Sequence, residues 1–235
     1  MNRIDYLIVF LLCISCNDSD VKTIDIDLPS EEATLDTIKA EENNLTWFAD
    51  PLKSTNYKNG DIVLIHSKSD LSSPISLATE SDYTHCAIFW EMTNGPKFFE
   101  ACSGVEDTQF EKFIKDKKGT LLLVLRLRER DSLFKAENEE RLFFQMRDWL
   151  GLDYDGQFLW NDDEMYCSEL VYKLYKSAGI KLCNLKKLED FDLNSPEVKK
   201  ELEKRYNGKI PMKEPVIAPV DLIYSNLLDT VYYSK

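Results

Sequence analysis

The sequence predicts an α+β fold in which an antiparallel sheet packs against helices. Two apolar segments, 84–91 and 97–102, flank the turn-forming sequence at 93–96, and this arrangement predicts a β-hairpin. Apolar residues recur at helical spacing from Tyr166 to Ala178, which predicts a helix with one buried face. Because the predicted strands cluster and are largely joined by hairpins, they indicate an antiparallel sheet.

The other elements follow from local patterns along the chain. The turn signal Asn59-Gly60 precedes the apolar, β-branched segment 61–65, which is typical of a strand. A second strand, rich in Leu and Val, is predicted at 120–127. Helix signals predict three more helices: one at 108–115 after the capping-box sequence Thr108-Gln109-Phe110-Glu111, one at 132–150, and one between Ser195-Pro196 and Asn207-Gly208.

Residues 1–16 have the pattern of a lipoprotein signal peptide. Arg3 supplies a positive charge, residues 7–12 are apolar, and Ile14-Ser15-Cys16 forms a small-residue cleavage site. About a dozen apolar residues are too few to span a bilayer. We therefore expect export and lipid attachment at Cys16, which would anchor the protein to a membrane of the cell envelope. The alternative is an ordinary secretory signal, which would give a soluble secreted or periplasmic protein.

An acidic linker is predicted at 17–45, followed by a globular domain at 46–235. The linker carries nine acidic residues and two lysines and has no aromatic residue, so the chain repels itself there and buries little. A short amphipathic helix near 37–45 is the alternative. The whole chain has a net charge of −13, which disfavours nucleic acids and anionic membrane surfaces as partners.

The cysteine and histidine content argues against a disulfide framework and against a metal site. Of six cysteines, Cys13 and Cys16 belong to the signal, and too few remain to staple a set of loops. The chain has no CxxC pair and only two histidines, so no zinc-ligand spacing can be recognised. We predict no metal and no cofactor.

Cys167 has the position expected of a nucleophile. It stands at the start of the helix predicted from 166, where exposed N–H groups and the helix dipole favour the reactive thiolate. The backbone N–H of Cys167 would also face the oxyanion of an acyl-transfer reaction. The alternative is a small buried cysteine that packs the helix start.

His85 is the candidate base, and Glu100 is the candidate residue that orients it. A histidine inside an apolar strand needs partners for its ring nitrogens, whereas His66 ends its strand beside Ser67 and Lys68 and is predicted to be exposed. Glu100 lies on the strand that is hairpinned to that of His85. An exposed edge glutamate is the alternative for Glu100.

Strand alternation excludes one rival arrangement. In a regular hairpin that places His85 and Glu100 on one face, Cys86 and Cys102 lie on opposite faces. A disulfide between Cys86 and Cys102 and a pair between His85 and Glu100 therefore exclude each other, barring a bulge.

Four segments together resemble the circularly permuted papain-like amidases of the YaeF/YiiX type, relatives of the NlpC-type cell-wall hydrolases. They are, in chain order, Gly60-Asp61-Ile62-Val63, Tyr83-Thr84-His85-Cys86-Ala87-Ile88, Phe99-Glu100-Ala101, and Tyr166-Cys167-Ser168-Glu169-Leu170-Val171. The closing stretch Ala218-Pro219-Val220-Asp221-Leu222 extends the resemblance over about 60–232. The resemblance implies a permuted papain-like fold and a catalytic triad of Cys167, His85 and Glu100. Tyr166 and Tyr83, beside the triad residues, are the predicted substrate-binding residues.

The resemblance implies a cysteine hydrolase that cleaves an amide through an acyl-enzyme. Because an exported enzyme meets cell-wall peptides first, an amide in a cell-wall or small peptide is the leading substrate. A lipid-directed acyltransferase or thioesterase is one alternative, and a non-catalytic envelope lipoprotein of the same fold is another. A lipid substrate requires an apolar channel at the start of the Cys167 helix, whereas a peptide favours a groove with polar or charged ends.

Overall fold

The computed structural model describes residues 53–116 and 122–234. The predicted signal peptide with Cys16, the predicted linker at 17–45, and the start of the strand predicted at 120–127 lie outside these residues. The strands of the described part are β1 Ile62–Ile65, β2 His85–Met92, β3 Gly95–Ala101, β4 Val105–Gln109, β5 Leu122–Leu127, β6 Asp153–Tyr154, β7 Glu164–Met165, β8 Lys186–Lys187, β9 Pro215–Val216 and β10 Leu228–Tyr233.

The main sheet has six strands in the order β10-β5-β1-β2-β3-β4, and all of its neighbouring strands are antiparallel. This confirms the predicted α+β class with an antiparallel sheet. The hairpin of β2 and β3 turns at Thr93 and Asn94, and Gly95 has a φ of 104°, which suits glycine. Strands β4 and β10 were not predicted from the sequence.

The described residues also form six α-helices: α1 Ser72–Thr79, α2 Phe110–Asp116, α3 Arg130–Leu133, α4 Ala136–Trp149, α5 Cys167–Ser177 and α6 Pro196–Tyr206. Helix α6 begins as predicted, because the Ser195 side chain accepts a hydrogen bond from the Val198 N–H at 3.1 Å. Helix α1 was not predicted. Within 53–116 and 122–234, no helix is both long enough and apolar enough to cross a membrane.

Two details of the predicted helices are wrong. The single helix predicted at 132–150 is divided, because Phe134 leaves the helical conformation and buries its ring against Trp90 and Tyr175. Thr108 does not open a helix but lies in β4, where its hydroxyl donates a hydrogen bond to Glu100. In both cases a contact with residues distant in sequence overrides the local signal.

The two faces of the sheet bury different groups. Cys86 and Ile88 of β2 face the core that contains helix α5. Ala87 and Phe89 alternate with them and face a second core built around Phe113 of α2. Alternation along β2 therefore turns Cys86 and Ile88 towards the helix that carries Cys167.

A buried ion pair connects β1 with β5. Asp61 is 1% exposed and Arg126 is 6% exposed, and Arg126 Nε donates to Asp61 Oδ1 at 2.7 Å. Burial raises the pKa of Asp61, and the neighbouring Arg126 guanidinium opposes this rise. Arg126 also donates to the carbonyl oxygen of Asn56 at 3.0 Å. The pair therefore joins the start of β1, strand β5 and the turn at Ser54–Asn56.

We expect Asp61→Ala to lower the free energy of unfolding by about 3–5 kcal/mol, because it leaves the Arg126 charge buried and uncompensated. Urea denaturation measures this change. The matched control is Asp229→Ala in the exposed pair Arg128–Asp229, whose side chains are 54% and 52% exposed. This control variant should lower the free energy of unfolding by less than about 1 kcal/mol. Equal costs for the two variants would contradict a special role for the buried pair.

Candidate active site

Cys167 is the first residue of helix α5, and its side chain lies under the sheet. Tyr166 precedes the helix in an extended conformation, and its N–H donates to the Glu169 carboxylate at 3.3 Å. Strand β7 ends at Met165 and pairs with Tyr154 of β6, which holds the backbone ahead of the helix. Cys167 is 5% exposed. The helix start and the strand before it thus fix the thiol at a buried position.

His85 and Glu100 form a buried hydrogen-bonded pair. His85 Nε2 and Glu100 Oε2 are 2.7 Å apart, and the two residues are 7% and 4% exposed. The other carboxylate oxygen of Glu100 accepts a hydrogen bond from the Thr108 hydroxyl at 2.8 Å. Glu100 is thus held by the next strand, and it in turn orients the imidazole. The geometry predicted for His85 and Glu100 is present, and Thr108 adds a contact that the sequence did not reveal.

The register of the hairpin explains this pairing. Ile88 lies opposite Phe99, and Phe89 lies opposite Phe98. Extended to His85, this register places Glu100 on the same face of the sheet as His85. Glu100 then lies two residues along β3 from the position directly opposite His85. Within the described residues, neither Cys86, which is buried, nor Cys102, which is exposed, forms a disulfide. This agrees with the expectation that the two pairings exclude each other.

The Cys167 thiol contacts both Cys86 and His85. Hydrogen bonds from the Cys86 thiol and from His85 hold the pKa of Cys167 well below its ordinary value, although burial opposes this effect. Burial lowers the pKa of His85, but its hydrogen bonds to Cys167 and Glu100 prevail and raise it to about 9. Because Nε2 of His85 is taken by Glu100, Nδ1 is the nitrogen that remains for the thiol. At neutral pH the arrangement therefore favours a thiolate beside an imidazolium.

A model of the permuted papain-like amidase enzymes of the YaeF/YiiX, C92 family matches residues 56–232. The chain belongs to this family. It is 34% identical to the uncharacterized protein YiiX of Escherichia coli K12 over 175 residues. This alignment covers 74% of this chain and 85% of that protein. The crystal structure of the metalloprotein YiiX from Escherichia coli O157:H7 is also 34% identical. It has a TM-score of 0.70 and covers 75% of this chain and 97% of that one.

Because the chain belongs to this family, its broad class is that of the papain-like cysteine hydrolases. The triad residues implied by the sequence lie together in its fold, and their catalytic roles stay a prediction. His66, the other histidine, hydrogen-bonds through Nδ1 to the Asp82 carbonyl oxygen at 2.9 Å.

The arrangement of side chains does not fit a bound metal ion. Within the described ranges, no group of three or more His, Cys, Asp or Glu residues could hold one. The related YiiX structure is described as that of a metalloprotein.

A cavity of about 790 Å³, counted with its opening to solvent, lies beside Cys167. Its walls come from α1, α6, the segment 216–219 and the start of α5. Tyr166 lines the cavity, and its hydroxyl accepts a hydrogen bond from the Ile217 N–H at 3.1 Å. Tyr83 is half-buried against the core and is not part of the lining. The structure therefore brings one of the two predicted substrate-binding tyrosines to the cavity next to the thiol.

Sequence reasoning missed two residues at this site, Cys86 and Tyr154. Cys86 was considered only as a disulfide partner, although its place in an apolar strand already indicated a buried side chain. Burial, followed by contact with Cys167, raises the pKa of Cys86 well above its ordinary value, so it stays a thiol that donates to the thiolate. Tyr154 lines the cavity with Cys167, and no local sequence signal identifies it.

We expect Cys86→Ala to raise the apparent pKa of Cys167 by about 1 to 2, because a hydrogen bond to a charged group contributes roughly 1.5–3 kcal/mol. The rate at which iodoacetamide alkylates Cys167, followed by peptide mass spectrometry, measures this pKa. The rate is determined from about pH 4 to 10, the range over which thiols titrate. Cys86→Ser keeps a donor and serves as the matched control with a profile near that of the wild type. An unchanged profile in Cys86→Ala would show that the Cys86 thiol does not stabilise the thiolate.

Proposed function

We propose that this protein is a cysteine amidase that cleaves its substrate through an acyl-enzyme on Cys167. The observation that carries the proposal is the buried, hydrogen-bonded pair of His85 and Glu100, together with the lowering of the Cys167 pKa by Cys86 and His85. A nucleophilic cysteine requires a base within hydrogen-bond reach and a third group that orients the base. Membership of an amidase family supports the same reaction class.

In the first half of the reaction, the Cys167 thiolate attacks the carbonyl carbon of the amide. The C–N bond then breaks, and the His85 imidazolium gives its proton to the departing amine. In the second half, neutral His85 takes a proton from water as the water attacks the thioester. The carboxylic acid leaves, and the thiolate and imidazolium are restored. Glu100 stabilises the imidazole whenever it is charged, at the start of the first half and at the end of the second.

Two donors are available to the oxyanion. The Cys167 N–H lies at the start of a helix, where it has no partner within the helix. Burial, followed by the charge on Cys167, raises the pKa of Tyr154, so its phenol keeps the proton and acts as a donor near the reacting sulfur. A preorganised donor of this kind typically contributes a factor of about 10²–10³ to kcat. We assign Tyr154 to this role as part of the proposal.

We also propose that the enzyme works outside the cytoplasm and is anchored through lipid on Cys16, with acidic residues 17–45 as the spacer. The support is the signal pattern of residues 1–16 and the nine acidic residues of the segment that follows. A lipid anchor would hold the enzyme close to amides of the cell envelope.

We expect an envelope digest incubated with the protein to leave a covalent acyl adduct on the Cys167 peptide, detectable by intact and peptide mass spectrometry. Hydroxylamine should remove the adduct, since it cleaves thioesters. His85→Ala should slow adduct formation by about 10²- to 10⁴-fold, the usual contribution of a general acid–base group.

His66→Ala is the matched control, because His66 is the other histidine of the chain and its ring hydrogen-bonds to the Asp82 carbonyl oxygen. It should form the adduct at the wild-type rate. If no acyl donor labels Cys167, or if His66→Ala and His85→Ala lose the same activity, the protein is not the proposed hydrolase. The non-catalytic alternative would then be preferred.

For the anchor, we expect the wild-type protein to partition into the detergent phase, because acyl chains bury many CH₂ groups at about 0.8 kcal/mol each. Cys16→Ser should move it to the aqueous phase. Cys13→Ser is the matched control and should not change the partitioning. A fully soluble wild-type protein whose N-terminal peptide carries no lipid mass would contradict lipidation of Cys16.

A further inference from the structure

The residues on both sides of Cys167 are hydrogen-bonded to one residue of the segment 216–219. The Tyr166 hydroxyl accepts a hydrogen bond from the Ile217 N–H at 3.1 Å. The Ser168 hydroxyl donates a hydrogen bond to the Ile217 carbonyl oxygen at 2.7 Å. Ile217 follows these two residues by 51 and 49 positions in the chain. A distant part of the chain therefore holds the backbone just before and just after the nucleophile.

The three residues that form these two bonds are buried. Tyr166 is 3% exposed, Ser168 is 1% exposed and Ile217 is 3% exposed. Burial, followed by the charge of Glu169, raises the pKa of Tyr166, so its phenol stays neutral. Hydrogen bonds are stronger in a buried, weakly polar environment than in water, and the loss of one partner leaves the other polar group unsatisfied. The two bonds therefore restrain the backbone on both sides of the thiol.

The segment that supplies Ile217 is itself held at both ends. On one side, Val216 of β9 pairs with Lys186 of β8. On the other side, the Ala218 N–H donates to Asp221 Oδ2 at 2.8 Å. The second carboxylate oxygen of Asp221 lies 2.6 Å from Lys186 Nζ. Lys186 thus connects the two ends of the segment, which gives Ile217 a fixed position.

The start of helix α5 is capped independently of these two bonds, because the Glu169 carboxylate accepts the Tyr166 N–H at 3.3 Å. The bonds to Ile217 instead restrain the residues that flank the two peptide groups of Cys167. One of these peptide groups carries the Cys167 N–H, the donor assigned above to the oxyanion. Such a donor must point to where the charge develops, and a misplacement of about 1 Å can lower a rate about 10²-fold.

We infer that Ser168 and Tyr166 are positioning residues of the reaction, and that their hydrogen bonds to Ile217 orient the Cys167 N–H towards the oxyanion. The inference rests on the proposed function and adds two residues to the same site. Tyr166 then has a role in the backbone geometry of the nucleophile as well as the substrate binding predicted from the sequence. In the positioning role, neither side chain exchanges a proton with the substrate.

Two reagents that react with the same sulfur separate the oxyanion from the thiolate. The Cys167 thiolate attacks the carbonyl carbon of p-nitrophenyl acetate, an S–C bond forms with a negative charge on the carbonyl oxygen, and the C–O bond to p-nitrophenolate then breaks. Iodoacetamide instead forms an S–C bond by loss of iodide, and no oxyanion develops. Peptide mass spectrometry measures both rates at Cys167. The ratio of the acetylation rate to the alkylation rate therefore reports the orientation of the oxyanion donor.

We expect Ser168→Ala to lower this ratio about tenfold or more, since a complete oxyanion donor contributes about 10²–10³ to a rate. The alkylation rate and its pH profile should match those of the wild type, because the groups that lower the Cys167 pKa are unchanged. Ser177→Ala is the matched control. The Ser177 hydroxyl donates to the Leu174 carbonyl oxygen at 2.7 Å near the other end of the same helix, so its removal should leave the ratio unchanged.

Tyr166→Phe gives a second measurement of the same role. It removes the acceptor of the Ile217 N–H but keeps the ring, which packs edge-on against Phe158 with 5.2 Å between the ring centres. This variant should also lower the ratio of acetylation to alkylation. It keeps the inference testable if Ser168→Ala does not fold.

The outcomes separate this inference from the proposed function. If wild-type Cys167 is acetylated but neither variant lowers the ratio, acyl transfer to Cys167 is supported and the positioning role is wrong. If acetylation and alkylation fall by the same factor in Ser168→Ala, the bonds hold the thiol and not the oxyanion donor, which also overturns the inference. If iodoacetamide labels wild-type Cys167 but p-nitrophenyl acetate does not, the proposed function is overturned, and the inference is overturned with it.

Discussion

Helix α5 packs against strand β2 so that its first residue, Cys167, meets Cys86 and His85 where the strand begins. Much of the site's chemistry depends on this contact. A buried thiolate is costly unless donors surround it, and the strand supplies the Cys86 thiol as well as the imidazole of His85. The same contact raises the pKa of His85 to about 9, since the imidazolium then faces a negative charge. The packing of helix α5 against strand β2 therefore buries the thiol and also supplies the groups that make it reactive.

The antiparallel sheet makes this contact specific. His85, Glu100 and Thr108 lie on three successive strands, and each side chain is oriented by the next through bonds of 2.7 and 2.8 Å. A slip of one residue in register would turn Glu100 to the other face of its strand. The chain of polar groups is buried and paired, so its members have one low-energy arrangement. The sheet thus holds the base, while the helix holds the nucleophile.

The elements around the sheet, and not the sheet itself, determine which acyl group fits beside Cys167. Helices α1 and α6 and the segment 216–219 build the cavity, and they contribute no part of the Cys167–His85–Glu100 chain. Members of a fold family differ in substrate through such additions. In this chain the added surface is apolar, and its charges Arg205 and Glu201 are paired with each other.

The sequence by itself determined the α+β class, the hairpin, the start of α6 at Ser195 and the pairing of His85 with Glu100, because turns, caps and strand alternation act over a few residues. The tertiary structure alone decided the break at Phe134, the contact of Thr108 with Glu100, the contact of Cys86 with Cys167 and the shape of the cavity. Apart from the contact of Thr108 with Glu100, which joins neighbouring strands of the sheet, these features join residues that lie far apart along the chain. Local periodicity carries no information about which of two distant surfaces will pack together.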